Sequence, residues 1–96
     1  MYAVIFKATI KQFDEEYTQS ANRLRQLALD EYGCLEFISF TENNQELAIS
    51  YWKNKEAISA WKSNAEHLKA QALGKSEWYE SYSVEIVEVN HRYSFP

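Results

Sequence analysis

A chain of 96 residues, 46% of them hydrophobic and 25% charged, has the size and composition of one ordinary globular domain and lies far from those of a disordered segment. The formal charge is −4, with ten Lys and Arg scattered among fourteen acids, which disfavours nucleic acid as a partner because such affinity rests on clustered cations. Aromatic residues make up 16% of the chain, more large apolar surface than so small a domain easily hides, so a pocket or a partner is expected to absorb it.

The run from Tyr2 to Ile10 is rich in β-branched and aromatic residues and predicts a first strand. Its apolar start is interrupted by Lys7, too early for a signal core or a spanning helix, and so gives no sign of membrane association. Asp14 then reads as a helix N-cap, with Glu15 and Glu16 complementing the positive end of the helix dipole. Tyr17, Ala21, Leu24 and Ala28, with Leu27 beside them, form one apolar stripe, and Gly33 supplies the left-handed residue that ends the helix.

Cys34 to Thr41 and Glu46 to Trp52 predict two further strands joined by a hairpin turn at Glu42, Asn43, Asn44 and Gln45, since Asn tolerates positive φ. The lone Cys34 has no intramolecular disulfide partner, which agrees with a reducing, cytoplasmic setting, and it reads as a small buried hydrophobe. Asn54 is placed to cap a second helix carrying Ala57, Ile58 and Trp61 on one face, with the helical pattern resuming through Leu68, Ala72 and Leu73 until Gly74. A short aromatic link from Trp78 to Tyr82 leads into a last strand, Ser83 to Val89. His91, Arg92 and Tyr93 lack metal-ligand spacing and read as a terminal strand continuing across the partner.

The order β-α-β-β-α-β most economically gives an α+β domain of ferredoxin-like type, a four-stranded antiparallel sheet with its helices on one face. Several strands are nonetheless apolar on both sides: Tyr2, Val4, Phe6 and Ile10 alternate with Ala3 and Ile5, and Leu47, Ile49 and Tyr51 alternate with Ala48 and Trp52. A half-solvated sheet normally carries one polar face, so a homodimer packed sheet to sheet is expected.

The segment from Ser50, Tyr51 and Trp52 through Glu56, Ala57, Ile58 and Trp61 to Glu66, His67, Gln71, Trp78 and Tyr79 resembles the antibiotic biosynthesis monooxygenase family, whose members are dimeric α/β barrels with a pocket between helices and sheet. The resemblance implies a cofactor-independent monooxygenase that oxidises an electron-rich aromatic, quinol- or polyphenol-like, with O₂. It implies neither metal nor organic cofactor. The haem-degrading branch of relatives resembles this chain at Trp61. Ten positions further on, however, stands Gln71 in place of a ligating His, and the first strand offers no Asn.

On this reading His67 is the proton acceptor, Gln71 donates a hydrogen bond to a substrate oxygen, and Trp61 with Tyr51 or Trp52 forms the apolar slot. Tyr51 and Trp52 point to opposite sides of their strand, so at most one of them lines the helix-side pocket. Trp78, Tyr79 and Tyr82 are assigned to the end of the barrel or a dimer seam. The alternative is a non-catalytic dimer of the same fold, binding a small molecule or acting in stress, with the same aromatics serving as core. No GxGxxG, P-loop, CxxC, HExxH or nucleophile elbow is present.

Overall fold

The computed structural model describes residues 1–96 and bears out the α+β ferredoxin-like order. Strand β1 (Tyr2–Ile10) leads to helix α1 (Glu15–Glu31), the hairpin of β2 (Glu36–Glu42) and β3 (Gln45–Trp52), helices α2 (Lys55–Lys62) and α3 (Ala65–Leu73), and strand β4 (Tyr79–Glu88). The strands form one antiparallel sheet in the order β2-β3-β1-β4. No helix is long and apolar enough to cross a membrane.

The helix boundaries follow from their caps. Asp14 Oδ1 accepts the Tyr17 N–H at 2.7 Å to open α1, and Gly33, at φ +77°, turns the chain out of it in a conformation that a Cβ would strain. Asn54 Oδ1 accepts the Ala57 N–H at 2.9 Å to open α2. The helical pattern that resumes after Trp61 does so as a separate helix. After Ser63 the chain leaves helical geometry, and Asn64 Oδ1 accepts the Glu66 N–H at 2.8 Å, starting α3 afresh. Between α3 and β4 the chain makes a π-helical turn (Gly74–Trp78), closed by the Tyr79 N–H on the Gly74 carbonyl.

β4 begins earlier than the sequence pattern indicates, because Tyr79 to Tyr82 already pair with β1. Ile10 faces Tyr79 whereas Thr9 faces Ser81, so Glu80 is an extra residue, a β-bulge. The bulge has a steric consequence: Tyr79 and Tyr82, three positions apart, both point toward the helices, where strict alternation would have set them on opposite faces.

Only 15 of 96 residues are buried, and the core they form is divided. One cluster joins Val4, Leu27, Ala28, Cys34, Trp52, Ile58 and Trp61; the other joins Ile10, Tyr17, Ala70 and Trp78; half-buried Leu24 packs against both. The far face of the sheet has no helix over it. Ile38, Phe40, Leu47 and Val87 are exposed there, with Ile5, Ile49 and Tyr51 on the same side by strand alternation. The terminal strand expected at His91, Arg92 and Tyr93 is not formed: β4 ends at Glu88 and these residues lie in no strand. Arg92 reaches back over this face, its guanidinium 4.8 Å from the Tyr51 ring centre and 3.3 Å from Glu36 Oε2.

Candidate active site

Between the two halves of the core lies a cavity of about 310 Å³, bounded by α1 and α3 above and the sheet below. Protein interiors are ordinarily close-packed, so a gap of this size in a small domain is a binding-site candidate. Its floor comes from alternate residues of the strands: Val4 and Phe6 of β1, Phe37 and Ser39 of β2, Glu46, Ala48 and Ser50 of β3, Tyr82 and Val84 of β4. Ala21 of the α1 stripe faces it and stays exposed, marking an opening to solvent.

Trp61, His67 and Gln71 meet on the cavity wall, although they come from two helices. Trp61 is buried, its indole N–H donating to the Leu24 carbonyl at 3.2 Å and its ring lying 5.3 Å from Trp52 and 6.1 Å from Phe37. His67 stands edge-on to Trp61, centroids 4.4 Å apart. The Gln71 amide nitrogen is 3.0 Å from His67 Nδ1, one helical turn away. As placed, the amide N–H donates to Nδ1, which leaves the ring proton on Nε2; with the amide turned over, its oxygen accepts from Nδ1–H and Nε2 is left as the base. Burial holds the His67 pKa below the ordinary imidazole value, and the Lys62 charge pushes it the same way. A neutral imidazole is therefore available as a proton acceptor below as well as at neutrality.

The two strand residues part company. Trp52 is fully buried on the helix side, its indole N–H donating to Ser50 Oγ at 2.8 Å, but it lies behind Trp61 and does not line the cavity. Tyr51 faces the other side of the sheet, under Arg92, and is not in the slot at all. The reason is alternation: with Ser50 and Trp52 inward, Tyr51 must point outward.

The aromatic link, expected at the end of the barrel or a dimer seam, builds the other end of the cavity. Tyr79 and Tyr82 line it, 5.8 Å apart, and the Tyr79 hydroxyl lies 3.4 Å from that of Tyr17. Burial raises the pKa of both Tyr79 and Tyr17, and the Glu46 carboxylate adds to each, so the phenols stay protonated. Glu46 also lines the cavity and accepts from Thr41 Oγ1. The indole N–H of Trp78 is buried without a partner. Sequence reasoning missed Tyr17, Glu46, Tyr79 and Tyr82; only the period-two placement of Glu46 beside Ala48 and Ser50 signalled any of them.

No three His, Cys, Asp or Glu side chains come together as a metal-binding set. The residues present do not fit a haem site of the kind considered above. Gln71 stands at the expected ligand position with its amide engaged by His67, and a carboxamide is a poor iron donor beside imidazole. Cys34 is buried, and burial raises its thiol pKa, consistent with a packing role.

Comparison with known proteins agrees with this architecture. The family model described as antibiotic biosynthesis monooxygenase matches residues 1–73. The chain is 37% identical over 95 residues to the uncharacterized protein YqjZ of Bacillus subtilis (strain 168), covering 98% of this chain and 83% of that protein. In fold it is similar to SnoaB, a cofactor-independent oxygenase from Streptomyces nogalater, with TM-score 0.78, 12% identity, and coverage of 95% of this chain and 94% of that one. A conserved protein from Methanosarcina mazei Go1 superposes with TM-score 0.76 at 19% identity, covering 90% of this chain and 89% of that one.

Proposed function

Because the chain belongs to the antibiotic biosynthesis monooxygenase family, we propose that it is a cofactor-independent monooxygenase acting on an electron-rich aromatic, a quinol or anthrone-like phenol, inside the cavity between helices and sheet. The observation that carries this reading is the meeting of Trp61, His67 and Gln71 on the wall of a largely apolar cavity. An electron-rich aromatic can itself reduce O₂, so the protein has to bind it, remove a proton and stabilise the anion. Trp61, Phe6 and Phe37 supply flat apolar walls. His67 takes the proton from the substrate through Nε2, and Gln71 acts as a positioning residue with its amide oxygen turned toward Nδ1–H.

The electron balance for an anthrone-type methylene is complete without a co-reactant. The carbanion left after proton transfer gives one electron to O₂, and the substrate radical and superoxide couple to form a C–O bond. The resulting peroxide anion takes back the proton held by His67, and the hydroperoxide then loses water as its O–O bond breaks and the remaining C–H proton leaves. One CH₂ becomes C=O, and one O₂ yields the carbonyl oxygen and one H₂O. We further propose that the protein works as a homodimer joined through the uncovered sheet face, whose exposed Ile38, Phe40, Leu47 and Val87 form the apolar surface such an interface requires.

The test is O₂ uptake with a panel of anthrones and quinols under chelator, comparing wild type with His67→Ala and Trp61→Phe. Loss of the proton acceptor is expected to lower the rate roughly 10²-fold or more, while Trp61→Phe acts mainly on KM. Failure of every substrate to be oxidised above its spontaneous rate would leave the non-catalytic binding protein as the reading.

A further inference from the structure

We infer that the cavity is polarised along its length and takes an elongated fused-ring ligand in one orientation, an acidic oxygen at the His67–Lys62 end and a neutral hydrogen-bond donor at the Glu46 end. The inference rests on the aromatic-substrate reading above and names the class and orientation of that substrate.

The sheet register fixes the two ends. Val4, Ser50 and Phe37 lie side by side across β1, β3 and β2, and Trp61 packs over this row through Phe37 and, via Trp52, the end of β3. Tyr82, Ala8 and Glu46 form a parallel row across β4, β1 and β3, with Tyr79 grouped over it through its contact with Tyr82 and Tyr17 through its contact with Tyr79. From Glu46 to Ser50 is four residues of β3, which at ~3.3 Å per residue sets the rows about 13 Å apart, roughly the length of three linearly fused rings.

Charge differs between the ends. Lys62 and Arg25 line the cavity beside Trp61 and Phe37, the Arg25 guanidinium 5.9 Å from the Phe37 ring centre. The Lys62 charge that disfavours an imidazolium at His67 favours an oxyanion formed on a ligand there. At the other end the only ion is the Glu46 carboxylate, among the hydroxyls of Tyr17, Tyr79 and Tyr82. A carboxylate accepts from a hydroxyl but repels another anion, so this end selects a neutral donor and rejects an acid. The orientation follows: the acidic oxygen is presented to His67 and Lys62, and the ring bearing the distal hydroxyl is held away from them.

Two already oxidised probes, which the proposed reaction does not consume, test this: the hydroxymethyl and the carboxylate derivatives of anthraquinone, identical but for that group. Binding is followed by quenching of tryptophan fluorescence, since Trp61 and Trp78 line the cavity. Glu46→Ala is expected to weaken the hydroxymethyl probe about tenfold and to leave unchanged or tighten the carboxylate. Lys62→Ala should weaken the carboxylate severalfold and spare the alcohol. Glu46→Gln, which keeps shape and an acceptor oxygen, restores alcohol binding without restoring repulsion of the acid. Equal responses of the two probes to each substitution would overturn the orientation while leaving the aromatic slot intact. Binding of neither probe to wild type would remove the slot itself, and the inference with it.

Discussion

His67 and Trp61 stand edge to face, ring centroids 4.4 Å apart, across the break between α2 and α3. Asn64 makes this possible by capping a new helix three residues after Trp61, which re-aims α3 so that His67 returns over the indole. The same contact removes the imidazole from water, so a packing relationship sets the protonation state of the proposed base.

Substituting Trp61 by Ala should destabilise the fold by about 3–5 kcal/mol, because the ring is buried against Trp52, Phe37 and His67 and its removal merges a void with the cavity. Trp61→Phe retains most of that packing and loses the hydrogen bond to Leu24, costing about 1 kcal/mol from that term. Chemical denaturation with Trp61→Ala within about 0.5 kcal/mol of wild type would place the ring at the surface instead.

Burial lowers the His67 pKa from 6.5, so between that value and its lower native one the unfolded chain holds the proton more readily than the folded one. The contribution is fully present above pH 6.5 and is lost as pH falls through this window. Urea midpoints at pH 7.5 and 5.5 should therefore separate more for wild type than for His67→Gln. His91 and the carboxylates are common to both proteins and cancel in the comparison.

Gly74 has ordinary helical angles, yet a Cβ there would lie 2.9 Å from both Cδ2 and Cε2 of the Tyr79 ring. Alanine gains roughly 1 kcal/mol in helix propensity, while overlap with a ring held in a packed wall costs about 1–3 kcal/mol, so the clash is expected to win. Gly74→Ala should lower stability and alter the near-UV circular dichroism of the tyrosine cluster. An unchanged spectrum with raised stability would mean that Tyr79 swings aside freely.

Phe40 and Leu47 face each other across β2 and β3 on the uncovered side of the sheet, 70% and 37% exposed. In the proposed homodimer they are buried at the centre of an interface of about 2,000 Å². Sedimentation equilibrium at micromolar concentration should then give about twice the 11.3 kDa chain mass. Leu47→Glu should return the monomer, because a carboxylate buried there has no partner. A wild-type monomer at these concentrations defeats the homodimer reading.

The strand and helix order, the caps at Asp14 and Asn54, the turn at Asn43 and Asn44 and the termination at Gly33 were legible in the sequence. Each is set by residues close together along the chain, through backbone hydrogen bonding and allowed φ. Trp61, His67 and Gln71 were legible as candidates through the family resemblance, and local helix geometry added only that His67 and Gln71 lie one turn apart. That they converge was decided by the second helix start at Asn64, where local capping overrode the continuous helical period. The sequence placed Tyr51 and Trp52 on opposite faces without saying which was inner, because that choice is made by the register with β1, a long-range pairing. The largest difference is at Tyr79 and Tyr82. Their spacing of three forbids a shared face in a regular strand, and only the bulge at Glu80, formed where β4 meets the end of β1, turns both into the cavity. Local steric and hydrogen-bonding preferences therefore wrote the elements, whereas the shape of the cavity arose from pairings between segments remote in the chain.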